Sequence, residues 1–130
     1  MKTLLPPGWP RPKGYANGIS ARGRTIYTAG VVGWDEGQNF ASPDMVQQFA
    51  QALENILAIL AEDGAGAQHI VRLTVYVVGM EAYRNSLGDI GAVWKSIIGN
   101  HYPAMALVEV KALVDPAAVV EIEATAVVEE

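Results

Sequence analysis

One long amphipathic segment restricts what this chain of 130 residues can fold into. Ser42, Pro43 and Asp44 have the order of an N-cap, a first helical residue and a first-turn acid. Behind them, apolar residues recur at spacings of three and four, which predicts a helix over residues 43–62 that ends before Gly64. Because its apolar stripe is wide, this helix must lie against a sheet or against another helix.

Strand-like segments supply a sheet for this helix. Runs of β-branched and alternating apolar residues predict five strands, at Ile19–Ala21, Thr25–Val32, Ile70–Val78, Ala104–Leu113 and Val119–Val128. The first two flank the glycine-centred segment Arg22–Arg24 and are predicted to form a hairpin. Asp115 and Pro116 stand between the last two strands and predict a turn there.

A second helix is predicted between the third and fourth strands. Apolar residues share one stripe over Leu87–Ile98, and Gly99 is suited to end the helix. Ser86 and Asp89 have the spacing of a capping pair. The order β, β, α, β, α, β, β predicts a single α+β domain over residues 1–130, in which two helices cover one face of a mixed sheet.

The sheet face away from the helices is mixed in character. It combines Arg72 and Tyr76 of the third strand with Glu121 and Glu123 of the last strand. Such a face is too polar for a core and too apolar in places to lie in water. A homo-oligomer in which these faces meet would cover it.

Composition and charge exclude several classes of protein. There is no cysteine, so a thiol nucleophile, a disulfide framework and a Cys-ligated zinc site are excluded. The net charge of −5 makes nucleic acid an unlikely partner, although five of the nine basic residues precede the first acid, Asp35. This basic segment is either a solvated edge or attracts an anionic ligand. Without a signal-peptide core or a run that spans a bilayer, we expect a soluble, cytoplasmic protein that does not bind membranes.

Few residues carry recognisable catalytic chemistry. The chain has no Walker loop, no G-x-S-x-G elbow and no H-E-x-x-H motif. His69 and His101 lack an acidic cluster at ligand spacing, so no metal site is predicted, and His101 is either an acid–base group or a hydrogen-bonding loop residue. Glu121 and Glu123 are candidates for proton transfer if partly desolvated, or for an ion pair with Arg72.

A set of five segments, weak singly but specific together, extends over nearly the whole chain. The segments are Lys13–Ala16, Ile26–Gly30, Gln51–Ile56, Tyr102–Ala104 with Val108–Val110, and Val120–Ala124. In them the chain resembles the RidA (YjgF-like) family of enamine and imine deaminases. The resemblance implies a chorismate-mutase-like fold and a homotrimer whose sheets face a central barrel, with a small-molecule ligand in clefts between subunits. It also implies hydrolysis of a reactive enamine or imine to a carbonyl compound and ammonia, with neither a metal nor an organic cofactor.

The resemblance also implies roles for individual residues. Tyr15 lines the cleft, Glu121 orients or activates water, and the backbone around Gly30 lies beside the ligand. The family's substrate-gripping arginine, directly after Pro-Ala, is replaced here by Met105, and Leu107 stands where some relatives have cysteine. The cleft is therefore expected to be more apolar than in most of the family.

Loss of the arginine leaves two explanations for substrate binding. Either the substrate is larger and apolar, or another cation enters the cleft. The expected apolar wall consists of Tyr15, Trp34, Met105, Leu107 and Trp94. The candidate cations are Arg24, Arg84 and Lys111. A divergent deaminase that does not act on the usual small 2-imino acid is the main hypothesis, and a catalytically silent trimeric binding protein is the alternative. A ribonuclease is disfavoured, since the chain is acidic and lacks a basic aromatic platform.

Overall fold

A computed structural model describes all 130 residues as a mixed sheet with helices on one face. The strands are β1 Lys2–Leu4, β2 Gly18–Ser20, β3 Arg24–Tyr27, β4 Val31–Val32, β5 Ile70–Val77, β6 Ala104–Glu109 and β7 Val120–Val128. The helices are α1 Met45–Ala61, α2 Met80–Arg84 and α3 Leu87–Ile97, and Ala67–His69 forms a 3₁₀ turn. The predicted α+β fold is confirmed, with three helices rather than two. None of these helices has the length and apolar character needed to cross a membrane.

The main sheet has the strand order β3-β7-β5-β6, and β4 continues beside β7 after β3. β7 is central and runs antiparallel to β3, β4 and β5. β5 and β6 are parallel, so the chain between them crosses over one face of the sheet through α2 and α3. β6 therefore forms one edge of the sheet, and α3 lies on the same side as α1.

The predicted hairpin near the N-terminus is wrong. β2 pairs with β1, a strand that the sequence pattern did not predict, whereas β3 pairs with β7. The glycine in the intervening segment has another role, because a Cβ on Gly23 would clash with the carbonyl oxygen of Val128. Gly23 is thus required by the close approach of β7 rather than by a tight turn between neighbouring strands.

The predicted start of α1 needs correction. Asp44, not Ser42, caps α1: the amide of Gln47 donates to the Asp44 carboxylate at 3.0 Å, while Ser42 Oγ accepts from the Asp44 amide at 3.0 Å. The error arises because Ser and Asp are equally good caps, so the residue order alone does not decide between neighbours. At α3 the N-cap position is Ser86, as predicted, but its side chain makes no capping bond, because the Ser86 hydroxyl donates to the carbonyl of Ala82 at 2.8 Å.

The core lies between the helices and one face of the sheet. On β7 the covered side chains are Val120, Ile122, Ala124 and Ala126, each at most 4% exposed, and the alternate residues are partly exposed. One polar side chain, Gln48 of α1, is buried among them. Its amide nitrogen donates to the carbonyls of Ser42 and Ala117, and its oxygen accepts from the Val119 amide. Gln48 therefore links the start of α1 to the start of β7.

Candidate functional site

A cavity of about 550 Å³ opens between α3, the sheet edge β6 and the N-terminal segment. Nine of its twelve lining residues are hydrophobic. The lining consists of Lys13, Gly14, Tyr15, Phe49, Tyr83, Leu87, Ile90, Gly91, Trp94, Tyr102, Met105 and Leu107. We call this space the edge cavity. Apart from the Lys13 ammonium, backbone groups and aromatic side-chain N–H and O–H groups, it offers a ligand apolar contacts.

Local structure places the predicted residues at the edge cavity. The amide of Ala16 donates to the carbonyl of Pro103 at 2.9 Å, which fixes the N-terminal segment along β6 and brings Tyr15 to the cavity. Met105 and Leu107 point to the helix-covered side of β6, since they pair with the buried β5 residues Leu73 and Val75. Three of the predicted site residues, Tyr15, Met105 and Leu107, thus lie together.

Aromatic rings form much of the cavity wall. Trp94 and Tyr102 stack with their centroids 6.2 Å apart and their planes 15° from parallel. Trp94 is held by a hydrogen bond from Nε1 to the carbonyl of His101, at 3.1 Å. Phe49 and Tyr83 form a second, tilted pair, and burial raises the pKa of Tyr83 above its ordinary value. All four rings are among the lining residues of the edge cavity.

His101 lies behind this wall and makes a structural contact. Its Nε2 is 2.6 Å from the carbonyl oxygen of Ile70, so the interpretation of His101 as a hydrogen-bonding loop residue agrees with the structure. His69 accepts a hydrogen bond from the amide of Gly66 at its Nδ1. No group of three or more His, Asp or Glu side chains is close enough together to hold a metal ion.

Glu121 and Gly30 meet on the opposite face of the sheet. A Cβ on Gly30 would lie only 2.8 Å from Cδ of Glu121, so the carboxylate rests directly over the Gly30 backbone. Next along β7, Glu123 accepts a hydrogen bond from the Tyr76 hydroxyl at 2.8 Å, and this bond raises the pKa of Tyr76. Arg72 forms no ion pair with either glutamate, so the tyrosine takes the role expected of the arginine.

The six predicted site residues therefore do not form one cluster within a single chain. Gly30 and Glu121 lie across the sheet from the edge cavity. Trp34 lies elsewhere again: its ring packs against Phe40 with centroids 5.9 Å apart, and its carbonyl accepts from Asn55 at 2.8 Å. Within one chain the edge cavity is apolar and contains no carboxylate, and the Glu121 carboxylate lies on the other face of the sheet.

The candidate cations do not lie in the edge cavity. Arg24 pairs with Asp63 and Glu130, and its pKa is raised chiefly by the hydrogen bond to Glu130. Arg84 and Lys111 do not line the cavity either. Its one charged residue is Lys13, which belongs to the basic segment predicted to be either a solvated edge or a region that attracts an anionic ligand, but which is not one of the three candidate cations. The basic charge of the N-terminal segment was the available signal.

Comparison with known proteins agrees with the fold and the residue pattern. The family model described as endoribonuclease L-PSP matches residues 10–128. The chain is also 35% identical over 105 residues to a mouse (Mus musculus) protein named 2-iminobutanoate/2-iminopropanoate deaminase, covering 80% of this chain and 74% of that protein. The chain belongs to the YjgF/RidA family. A deaminase of the same name from Salmonella typhimurium is 30% identical, with 87% of this chain and 86% of that protein covered.

Solved structures of the YjgF/RidA family have the same fold. The Rid-family protein YyfB from Yersinia pestis, whose function is unknown, superimposes with a TM-score of 0.86 at 28% identity, covering 98% of both chains. The YjgF gene product of E. coli superimposes with a TM-score of 0.69 at 29% identity, again over 98% of both chains. The mixed sheet and its helices therefore extend over nearly the full length of these relatives.

Proposed function

We propose that this member of the YjgF/RidA family hydrolyses an imine or enamine whose side chain is larger and more apolar than that of the usual small 2-imino acids. The observation that carries the proposal is the edge cavity, in which Met105 and Leu107 lie among aromatic rings. Relatives with about one third identity are named as 2-imino acid deaminases, which supports the reaction class. The apolar lining supports the change of substrate.

The reaction needs water, a proton acceptor and a position for the C=N carbon. In the proposed step the oxygen of water bonds to that carbon as the C=N π bond opens, and Glu121 takes the water proton and passes it to the nitrogen, which gives a carbinolamine. The carbinolamine hydroxyl then gives its proton, through Glu121, to the nitrogen, the C–N bond breaks, and ammonia and a carbonyl compound are released. Tyr15 and Met105 hold the body of the substrate. Neither a metal nor an organic cofactor is part of this proposal.

A complete site requires two chains. Because Glu121 and the edge cavity lie on opposite faces of the sheet, the cavity of one chain would be completed by Glu121 of the partner subunit. We propose a homotrimer with the mixed sheet faces around a central barrel, which would place a ligand cleft at each subunit interface. Light scattering tests this arrangement, and a monomer would contradict it.

The replacement of the family arginine by Met105 determines how much affinity for a small 2-imino acid should be lost. A charge-assisted hydrogen bond to a carboxylate contributes about 1.5–3 kcal/mol, or roughly a 10- to 150-fold change in binding. Met105 cannot make this bond, so a small 2-imino acid should be a poor substrate. A bulky side chain offsets the loss by burying apolar surface against the aromatic walls, at about 25 cal/mol per Å².

The test is ammonia release from freshly generated 2-iminopropanoate and from the imine of phenylalanine. We expect turnover of the aromatic imine and little of the small one, with the small one improved by Met105→Arg. Glu121→Gln should abolish turnover, whereas the matched control Glu123→Gln should retain it. Silence on both imines, in the native protein and in Met105→Arg, would contradict the proposal.

A binding protein without catalysis is the second candidate. It is favoured by one observation, that no Asp, Glu or His lines the edge cavity. In that case an apolar ligand should raise the melting temperature by mass action, with no ammonia released at any enzyme concentration.

A further inference from the structure

The side chains that line the edge cavity are buried at its floor and exposed at its rim. Phe49, Ile90 and Trp94 are each at most 6% exposed and form the floor. Tyr15 and Tyr102, about two fifths exposed at 42% and 38%, lie at the rim. A ligand that fills this space must therefore be apolar at its inner end, whereas its outer end remains near water.

Charge in the edge cavity is confined to one residue. Lys13 is exposed, so it belongs to the rim, and no Asp or Glu is among the lining residues. The three ion pairs of the chain involve its N-terminus and Arg24, so Lys13 has no carboxylate partner. Because no carboxylate of the chain neutralises it, the Lys13 ammonium is available to pair with an anionic group of a ligand.

The backbone places Lys13 on the same cavity as Met105, the residue that replaces the family arginine. The hydrogen bond from the Ala16 amide to the Pro103 carbonyl ties together a point three residues after Lys13 and a point two residues before Met105. Both side chains line the same cavity. The flexible four-carbon stem of a lysine can place its ammonium over a range of rim positions.

We propose that Lys13 replaces the family arginine as the carboxylate-binding cation, and that the edge cavity takes an aromatic 2-imino acid. The aromatic ring lies on the floor against Trp94 and Phe49, and the carboxylate meets Lys13 at the rim. This assignment rests on the proposed hydrolase for the identity of the C=N group, but not for the binding mode. Lys13 is a binding and specificity residue, and takes no part in proton transfer.

Binding of a stable analogue tests the assignment without turnover. The probes are 3-phenylpropanoate and its neutral amide, titrated by calorimetry against the native protein and three variants. Lys13→Gln should weaken the carboxylate about tenfold, a value toward the low end for a charged hydrogen bond because the site is exposed, and should leave the amide unchanged. Lys13→Arg should retain the carboxylate affinity.

Arg11→Gln provides the matched control. Arg11 is exposed, belongs to the same N-terminal segment and lines a neighbouring cavity rather than this one, so its removal changes the net charge equally. It should leave both affinities unchanged. Equal weakening by Arg11→Gln, equal weakening of the amide by Lys13→Gln, or no binding of 3-phenylpropanoate to the native protein would each overturn the assignment.

Kinetic measurements distinguish carboxylate binding by Lys13 from the proposed hydrolysis of the imine. With the imine of phenylalanine as substrate, Lys13→Gln should raise KM about tenfold with little change in kcat, as expected for loss of uniform binding. Lysine-dependent binding of 3-phenylpropanoate without any ammonia release would support the binding mode and contradict the hydrolase. Ammonia release with a KM that is unchanged in Lys13→Gln would support the hydrolase and overturn the role of Lys13.

Discussion

The two faces of β7 differ in role: one carries buried side chains that stabilise the fold, and the other carries partly exposed carboxylates. Its even-numbered side chains from Val120 to Ala126 are buried under the helices, whereas Glu121 and Glu123 between them are partly exposed. The first set is covered within the chain, so it decides how the chain folds. The second set has no cover within the chain, so it is available for a ligand or for a second copy. Alternation in a strand therefore identifies a functional face only when the other face is buried within the chain.

The largest effect is expected for a truncation on the covered face. Ile122→Ala should lower the free energy of unfolding by about 2–5 kcal/mol, because Ile122 is fully buried and a cavity would remain. Glu121→Gln, one residue away on the open face, should change it by no more than about 0.5 kcal/mol. Urea unfolding at a fixed protein concentration measures both. Similar losses for the two variants would contradict the division between the faces.

The covered side also tolerates a polar group only when all its hydrogen bonds are made. Gln48→Leu should cost about 2–3 kcal/mol, because the Ser42 and Ala117 carbonyls and the Val119 amide would lose their partner. Gln47→Leu is the control: its side chain is exposed on the same helix, and the effect should stay within about 0.5 kcal/mol. Chemical denaturation distinguishes the two, and a neutral Gln48→Leu would show that water replaces the lost partner.

Two glycine substitutions should differ in their cost to stability, because a Cβ at Gly33 would meet the backbone of α1 whereas a Cβ at Gly30 would meet a side chain on the open face. A Cβ on Gly33 would lie 2.7 Å from Cα of Gln48, so Gly33→Ala must displace the backbone of α1 and should cost about 1–3 kcal/mol. On Gly30 the obstacle is the mobile end of the Glu121 side chain, so Gly30→Ala should cost less than about 1 kcal/mol.

The rate of ammonia release should also distinguish Gly30→Ala from Gly33→Ala. If Glu121 acts on water, Gly30→Ala should reduce ammonia release even though the fold is intact, because the carboxylate must leave its position over the backbone. Gly33→Ala should do the reverse, with lower stability and little change in kcat for the molecules that remain folded. Loss of activity in proportion to stability in both variants would contradict this distinction.

Local patterns explain which features the sequence predicts. The apolar stripe of α1 and the alternation in β5 and β7 are complete within short segments, so their positions agree with prediction to within about two residues. The partner of β3 is not local information: β3 pairs with β7, roughly a hundred residues later, and the nearby glycine suggested a hairpin instead. Pairing between distant strands is decided by the whole sheet.

Part of the candidate site could also be predicted, because the residues that indicate it lie within short segments. The family-like segments indicated Tyr15 and Met105, and both line the edge cavity. Lys13 was predicted only as part of a basic segment that could attract an anionic ligand, because the N-terminal segment has no periodicity that would indicate where its side chains lie. The alternation in β7 correctly predicted that Glu121 lies on the open face. That Met105 and Leu107 lie on the covered face instead depends on the register of β6 against β5, which no single segment shows.

The smallest effect concerns a polar pair on the open face. The hydrogen bond to Glu123 raises the pKa of Tyr76 above the ordinary value of about 10 for a tyrosine. A group whose pKa is raised by folding contributes stability that is fully present below its unfolded pKa and is lost as the pH rises through the folded value. The native protein should therefore lose more stability than Tyr76→Phe between about pH 8 and about pH 11.

Urea midpoints at the two pH values measure this difference, and Tyr27→Phe serves as the control. Tyr27 is 75% exposed on β3, which β7 separates from β5, and it makes no side-chain hydrogen bond, so its variant should follow the native curve. Tyr83 is retained in every variant, and its titration therefore cancels in the comparison. If Tyr76→Phe also follows the native curve, the Tyr76–Glu123 bond does not stabilise the folded chain.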